Sequence, residues 1–158
     1  MMSQAATPRM IAPDPLRDSQ FYEGVPLRRL VAFGIDLVII FALWCGVMLL
    51  GLVLTLATFG LAAPLLVVLT YATDFIYRWL MLAGYSATIG MRLTGIEVRD
   101  SNGRRLDPSG AFLHVAGFYI TILFPLLLLI SLVTMAISAH RRMLHDLVLG
   151  AVVINRPA

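Results

Sequence analysis

The chain has 158 residues, 59% of them hydrophobic and only 13% charged, with a formal net charge of +3. Soluble domains carry about a quarter charged residues, so the composition excludes an ordinary soluble protein and indicates one integral membrane domain. All twelve basic residues are arginines, and no polar stretch interleaves them with aromatics. That favours an anionic membrane surface as their partner and argues against nucleic acid.

Residues 1–21 contain Pro8, Pro13 and Pro15 among polar residues and read as a disordered tail. The tail lacks the apolar core of a cleavable signal peptide, so the first span is expected to direct insertion. Phe21, Tyr22 and Pro26 lead up to the membrane, where aromatics suit the interface. The membrane domain is expected over 22–154. Its first span runs from about 28 to 58, opened by Arg28 and Arg29 and interrupted by a single carboxylate, Asp36. A bilayer crossing takes about 20 apolar residues, so this helix should tilt or project. The lone Cys45 lies within it and is expected simply to pack.

Gly60 and Pro64 mark an uncharged turn, and the second span, about 62–82, contains Asp74 and Arg78. The polar connection that follows holds an alternating segment, Ile96 to Asp100, and an Asn102-Gly103 pair, which together predict a small β-hairpin. Asp107 and Pro108 predict a helix N-cap with proline at the first helical position. The third apolar segment, about 111–139, carries Pro125 near its centre and should kink there. The closing run through Ile154 is too short to span and fits a strand or an interfacial segment. The expected fold is an all-α integral membrane protein, a three-span helical bundle with a small cytoplasmic β-hairpin.

Arginines set the orientation. Arg9, Arg17, Arg28 and Arg29 precede the first span, the first loop has none, and Arg92, Arg99, Arg104 and Arg105 follow the second. The N-terminus and the polar loop should therefore be cytoplasmic, in a plasma (inner) membrane. Three full crossings then place Arg141 and Arg142 outside, against the same rule. A hairpin broken at Pro125 would return them, but each half, about 21 Å, falls short of a core about 30 Å thick. Three crossings are the expectation, and the conflict stays open.

Three ordered motifs resemble the RDD family of small multi-pass membrane proteins. Arg29, Ala32, Ile35 and Asp36 match its first-span pattern. Thr88, Gly90, Arg92, Leu93, Gly95, Ile96 and Val98 match its loop, with Met91 where the family has lysine. Leu144, His145, Asp146, Gly150, Val152 and Val153 match its closing run. The resemblance covers about 22–154 and marks Arg29, Asp36 and Asp146 as the family's charged motif. It implies a membrane protein for which transport of ions or small solutes is proposed.

The candidate site residues are Asp36, Asp74 and Arg78. Asp36 lies eight residues into the first span and Asp74 eight before the end of the second, so both fall about 12 Å deep from one face. Charges at that depth mark a relay, a pathway or a buried pair. Two neighbouring carboxylates suit a proton carrier, whereas Arg78, four residues after Asp74, favours a structural ion pair. Arg29 and Asp36 lean the same way, seven residues apart, and should not pair. Arg29 is expected to snorkel to phosphates or to meet another acid, Asp146 being a candidate if the tail is cytoplasmic. Thr70, Tyr71, Thr73 and Tyr77 line a polar path or bond to backbone and neighbouring helices.

His114, His140 and His145 lack metal-ligand spacing, so neither a metal nor a cofactor is assigned. His145-Asp146 without a nucleophile suggests local hydrogen bonding, and no nucleophile–base set supports an enzyme. Gly84, Gly90 and Gly95 lack the phosphate-loop ending and are expected to serve turns and close packing. The leading expectation is a transport-related protein whose intramembrane acids handle protons, small cations or small solutes. The alternative is a non-transporting scaffold or accessory subunit. Three spans enclose a pathway poorly, so a homo-oligomer or a complex with other membrane proteins is expected in the lipid bilayer.

Overall fold

The computed structural model describes Pro13 and residues 18–156, and most of the tail expected over 1–21 lies outside the described residues. Within that tail, Ser19–Phe21 form a 3-10 turn, and the Tyr22 hydroxyl donates to the Pro13 carbonyl at 2.6 Å.

Helix α1 (Val25–Ala57) and helix α2 (Ala63–Tyr85) are long and apolar enough to cross a membrane. Both start with proline in the first turn, where the missing N–H costs no helical bond. On α1 the buried residues are Val25, Arg29, Ala32, Asp36 and Ile40, a stripe at steps of three and four. Beyond Ile40 the helix presents its apolar side chains outward, and Cys45, expected to pack, is exposed.

After α2 the chain makes a short helix α3 (Ile89–Leu93), capped by the Thr88 side chain, which accepts from Met91 N. Strand β1 (Ile96–Arg99) follows. The Asn102-Gly103 reversal is present, with Gly103 N donating to Asp100 O and a single bridge between Arg99 and Arg105. The longer partner of β1 is strand β2 (Val152–Asn155) in the C-terminal tail, antiparallel, with Val98 opposite Val153. The closing apolar run is thus a strand, and the ribbon joins distant parts of the chain.

The third apolar segment is not one kinked helix. It divides into α4 (Pro108–Leu123) and α5 (Pro125–Ile137), which bend by 114° at Phe124. Pro125 has no N–H to continue the ladder and clashes with the preceding turn, so α5 restarts there as a new helix. By helical rise the two pieces are about 24 and 20 Å long. Asp107 caps α4 as expected, its carboxylate accepting from Gly110 N. Helix α6 (Leu144–Leu149) then carries the chain into β2.

The main core sits at the end of the molecule where α1 begins. Val25, Ala32, Leu82, Ile96, Val98, Leu106, Ala111, Ala151 and Val153 pack together there. Gly90 permits a close backbone approach, because a Cβ at that position would lie 2.1 Å from the Ala32 carbonyl oxygen. Close packing, one of the roles expected for the loop glycines, is therefore the physical reason for Gly90.

Candidate functional site

Asp36 faces the start of α3. Its Oδ1 accepts from the Tyr77 hydroxyl at 2.8 Å and Gly90 N at 2.9 Å, and its Oδ2 accepts from the Thr88 hydroxyl at 2.6 Å. The side chain is buried, and three donors replace the water it has lost. Thr88 is itself the cap of α3, so one carboxylate ties α1 to α2 and to the loop after it. Of the four polar residues flagged around Asp74, only Tyr77 donates to a site carboxylate. Thr70 and Thr73 bond back to the Leu66 and Leu69 carbonyls, and Tyr71 is exposed.

Asp74 and Arg78 meet as their spacing predicts, Arg78 Nε lying 2.8 Å from Asp74 Oδ1. The Arg78 guanidinium also sits 5.0 Å from the Phe118 ring centre and 5.7 Å from that of Phe33, so it is held between aromatic groups of α1 and α4. Each carboxylate of the expected Asp36–Asp74 pair therefore has its own partners.

Arg29 does not pair with Asp36. Its Nη2 donates to Asp146 Oδ2 at 2.7 Å, across 117 residues of chain. The same Oδ2 accepts from Met143 N at 3.0 Å, so Asp146 also caps α6. Both partners are buried, the Asp146 side chain almost completely. Burial alone would push the Asp146 carboxyl upward, but the Arg29 guanidinium beside it and the hydrogen bond from Met143 N hold it below its ordinary value. Burial pushes the His145 imidazole below its ordinary value, against the attraction of Asp146, so its neutral form is favoured.

Sequence spacing does not connect His114, which α4 brings beside His145 with their ring centres 5.0 Å apart. His114 Nδ1 lies 3.7 Å and His145 Nε2 3.4 Å from Asp146 Oδ1. Of the three histidines, His140 stands apart, against Tyr22. The only sequence signal for this cluster was the His145-Asp146 pair itself.

A cavity of about 380 Å³ opens between these groups. Arg29, Asp36, Arg78, His114, His145 and Asp146 are among its charged and polar lining residues, and Phe33, Phe118, Leu128 and Leu132 are among its apolar ones.

Long apolar helices that bury charge only at one end define an integral membrane protein. The chain belongs to the RDD family, whose sequence model matches residues 24–150. No curated protein and no solved structure matches it. The family match spans α1 through α6, and with it all three residues of the charged motif, Arg29, Asp36 and Asp146.

Proposed function

We propose that the protein is a multi-pass, transport-related protein of the plasma (inner) membrane, holding protons, small cations or small solutes in the cavity between α1, α2, α4 and the tail. The single observation that carries this reading is the cavity, a mostly apolar space on which a few charged and polar side chains converge. Small-molecule sites have that form: apolar walls and a few convergent polar groups. The break between α4 and α5 supports it, since interrupted helices at membrane depth are tolerated where they are buried or line a cavity.

In the topology proposed with this function, α1 and α2 cross and α4–α5 enters and returns on one side. The Arg29–Asp146 pair and the β1–β2 ribbon support it, because both hold the tail against the start of α1. Arg141 and Arg142 then share the cytoplasmic side with Arg104 and Arg105, which removes the charge conflict of three crossings.

The rival is a non-transporting scaffold, favoured by the three donors that already satisfy Asp36. Melting and flux measured on one proteoliposome preparation separate the two. For transport, the wild type conducts under an ion or proton gradient, and Asp36→Asn lowers flux per folded molecule. An amide leaves fewer acceptors for three donors, so the variant should also lose about 1–3 kcal/mol of stability. Wild-type protein without flux under any gradient, beside an early-melting variant, would contradict transport and leave the scaffold.

A further inference from the structure

We propose that His114 Nδ1, His145 Nε2 and Asp146 Oδ1 form a three-ligand site for a divalent transition-metal ion of the zinc class. The three groups lie on two elements, α4 and α6, and their ligand atoms all fall within 4.8 Å of one another. Each residue is more than nine-tenths buried, at 7%, 6% and 0% exposure. Among the described residues, His114 Nδ1 and Asp146 Oδ1 have no hydrogen-bond partner.

The distances favour a metal site over a hydrogen-bonded cluster. An N–H···O bond spans about 2.7–3.2 Å, and the two separations here are 3.4 and 3.7 Å. Zinc binds imidazole nitrogen and carboxylate oxygen at about 2.0–2.2 Å, which sets neighbouring tetrahedral ligands about 3.4 Å apart. The spacing therefore matches groups that share an ion better than groups that share a proton. Two imidazoles and one carboxylate are also the donor types a borderline ion takes, with the fourth position left open. All three side chains line the cavity, whose interior supplies that position.

Arg29 fits as the outer support. It holds Asp146 Oδ2 at 2.7 Å and so leaves Oδ1 turned to the imidazoles as a single-oxygen ligand. Its positive charge does not stand alone near the ion: Asp146 meets Arg29, Asp74 meets Arg78, and the Asp36 carboxylate also lines the cavity. The inference holds whether or not a solute crosses the membrane, because it concerns binding alone.

The test uses untagged full-length protein in detergent, titrated first with Co²⁺ and then with Zn²⁺. One Co²⁺ per chain should bind with the strong visible absorption of a four-coordinate ion, and Zn²⁺ should bleach it. His114→Gln and His145→Gln should each weaken binding by more than about tenfold, while His140→Gln should leave it unchanged. Folded wild-type protein that takes up neither ion would overturn the proposal, as would binding undiminished in both ligand variants or lost in His140→Gln. If a ligand variant does not fold, X-ray absorption at the zinc edge of the loaded wild type decides. Two imidazoles and one carboxylate oxygen are expected, and a shell of oxygens with one imidazole or none would refute the site.

Discussion

The two halves of α1 belong to one continuous helix and are governed by different surroundings. From Val25 to Ile40 a stripe of five residues is buried, two of them charged. From Phe41 to Ala57 no residue is buried, and the opposing start of α2, from Ala63 to Leu69, buries none either. The outer half needs mainly to be apolar, since lipid tails are as apolar as leucine, although it meets α2 closely at Gly51, where a Cβ would lie 2.1 Å from Leu66 Cδ1. The inner half is fixed by partners that are remote in sequence: Arg29 by Asp146, and Asp36 by Tyr77, Thr88 and Gly90. Changes in the inner half should therefore act through specific partners, and changes in the outer half through bulk hydrophobicity.

The largest effect is expected at Arg29. Arg29→Leu leaves the Asp146 carboxylate buried with no guanidinium beside it, which costs about 3–5 kcal/mol. Adding Asp146→Leu should recover much of that loss, because the stranded charge goes too. A detergent melting series on the two single variants and the double variant checks this. A double variant as unstable as both losses combined would deny the coupling.

Glycines give the next contrast. Gly90→Ala drives a methyl group into the Ala32 backbone at 2.1 Å, and backbone cannot swing aside. A loss of about 1–3 kcal/mol is expected. Gly46, in the outer half of α1, has nothing within 4 Å of such a methyl, and Gly46→Ala should stay within about 0.5 kcal/mol or stabilise the helix slightly. Equal destabilisation of the two variants would erase the distinction between the halves.

The smallest effect belongs to the exposed rim of the inner end. Asp107 caps α4, and its carboxyl is held below its ordinary value chiefly by the Ser109 hydroxyl, then by Gly110 N. A lowered value means that the folded state prefers the charged form. The stability Asp107 adds is therefore complete above about pH 4 and fades as the pH falls further. Asp107→Ala should remove that small fraction of the acid sensitivity of melting. An unchanged acid profile in the variant would deny the cap any such role.

The same contrast separates what could be read in the sequence from what could not. Hydropathy located α1 and α2 to within about three residues, because a lipid-facing helix states its environment in every residue. The Asp107-Pro108 cap and the Asp74–Arg78 pair were legible because their partners lie within one turn. The family motif marks Arg29 and Asp146, and the sequence offers Asp146 as an acid for Arg29. Three features were hidden for a shared reason, that local patterns carry no information about distant partners. Strand β1 pairs with residues 152–155, 53 to 59 positions further along the chain, where the Asn102-Gly103 turn pointed to a neighbour. His114 joins His145 and Asp146 only because α4 packs on α6. Pro125 announced a kink, but a bend of 114° depends on what α5 packs against after the break.

The central claim is that the tail closes onto the start of α1 from the same side of the membrane. Impermeant thiol labelling tests it most directly, with single cysteines placed at Ser101 and at Arg156 in a Cys45→Ala background. Both cysteines should be protected in intact cells and labelled in inverted membrane vesicles. A cysteine at 156 that labels from outside intact cells, while the one at 101 does not, would mean a third full crossing and contradict the account.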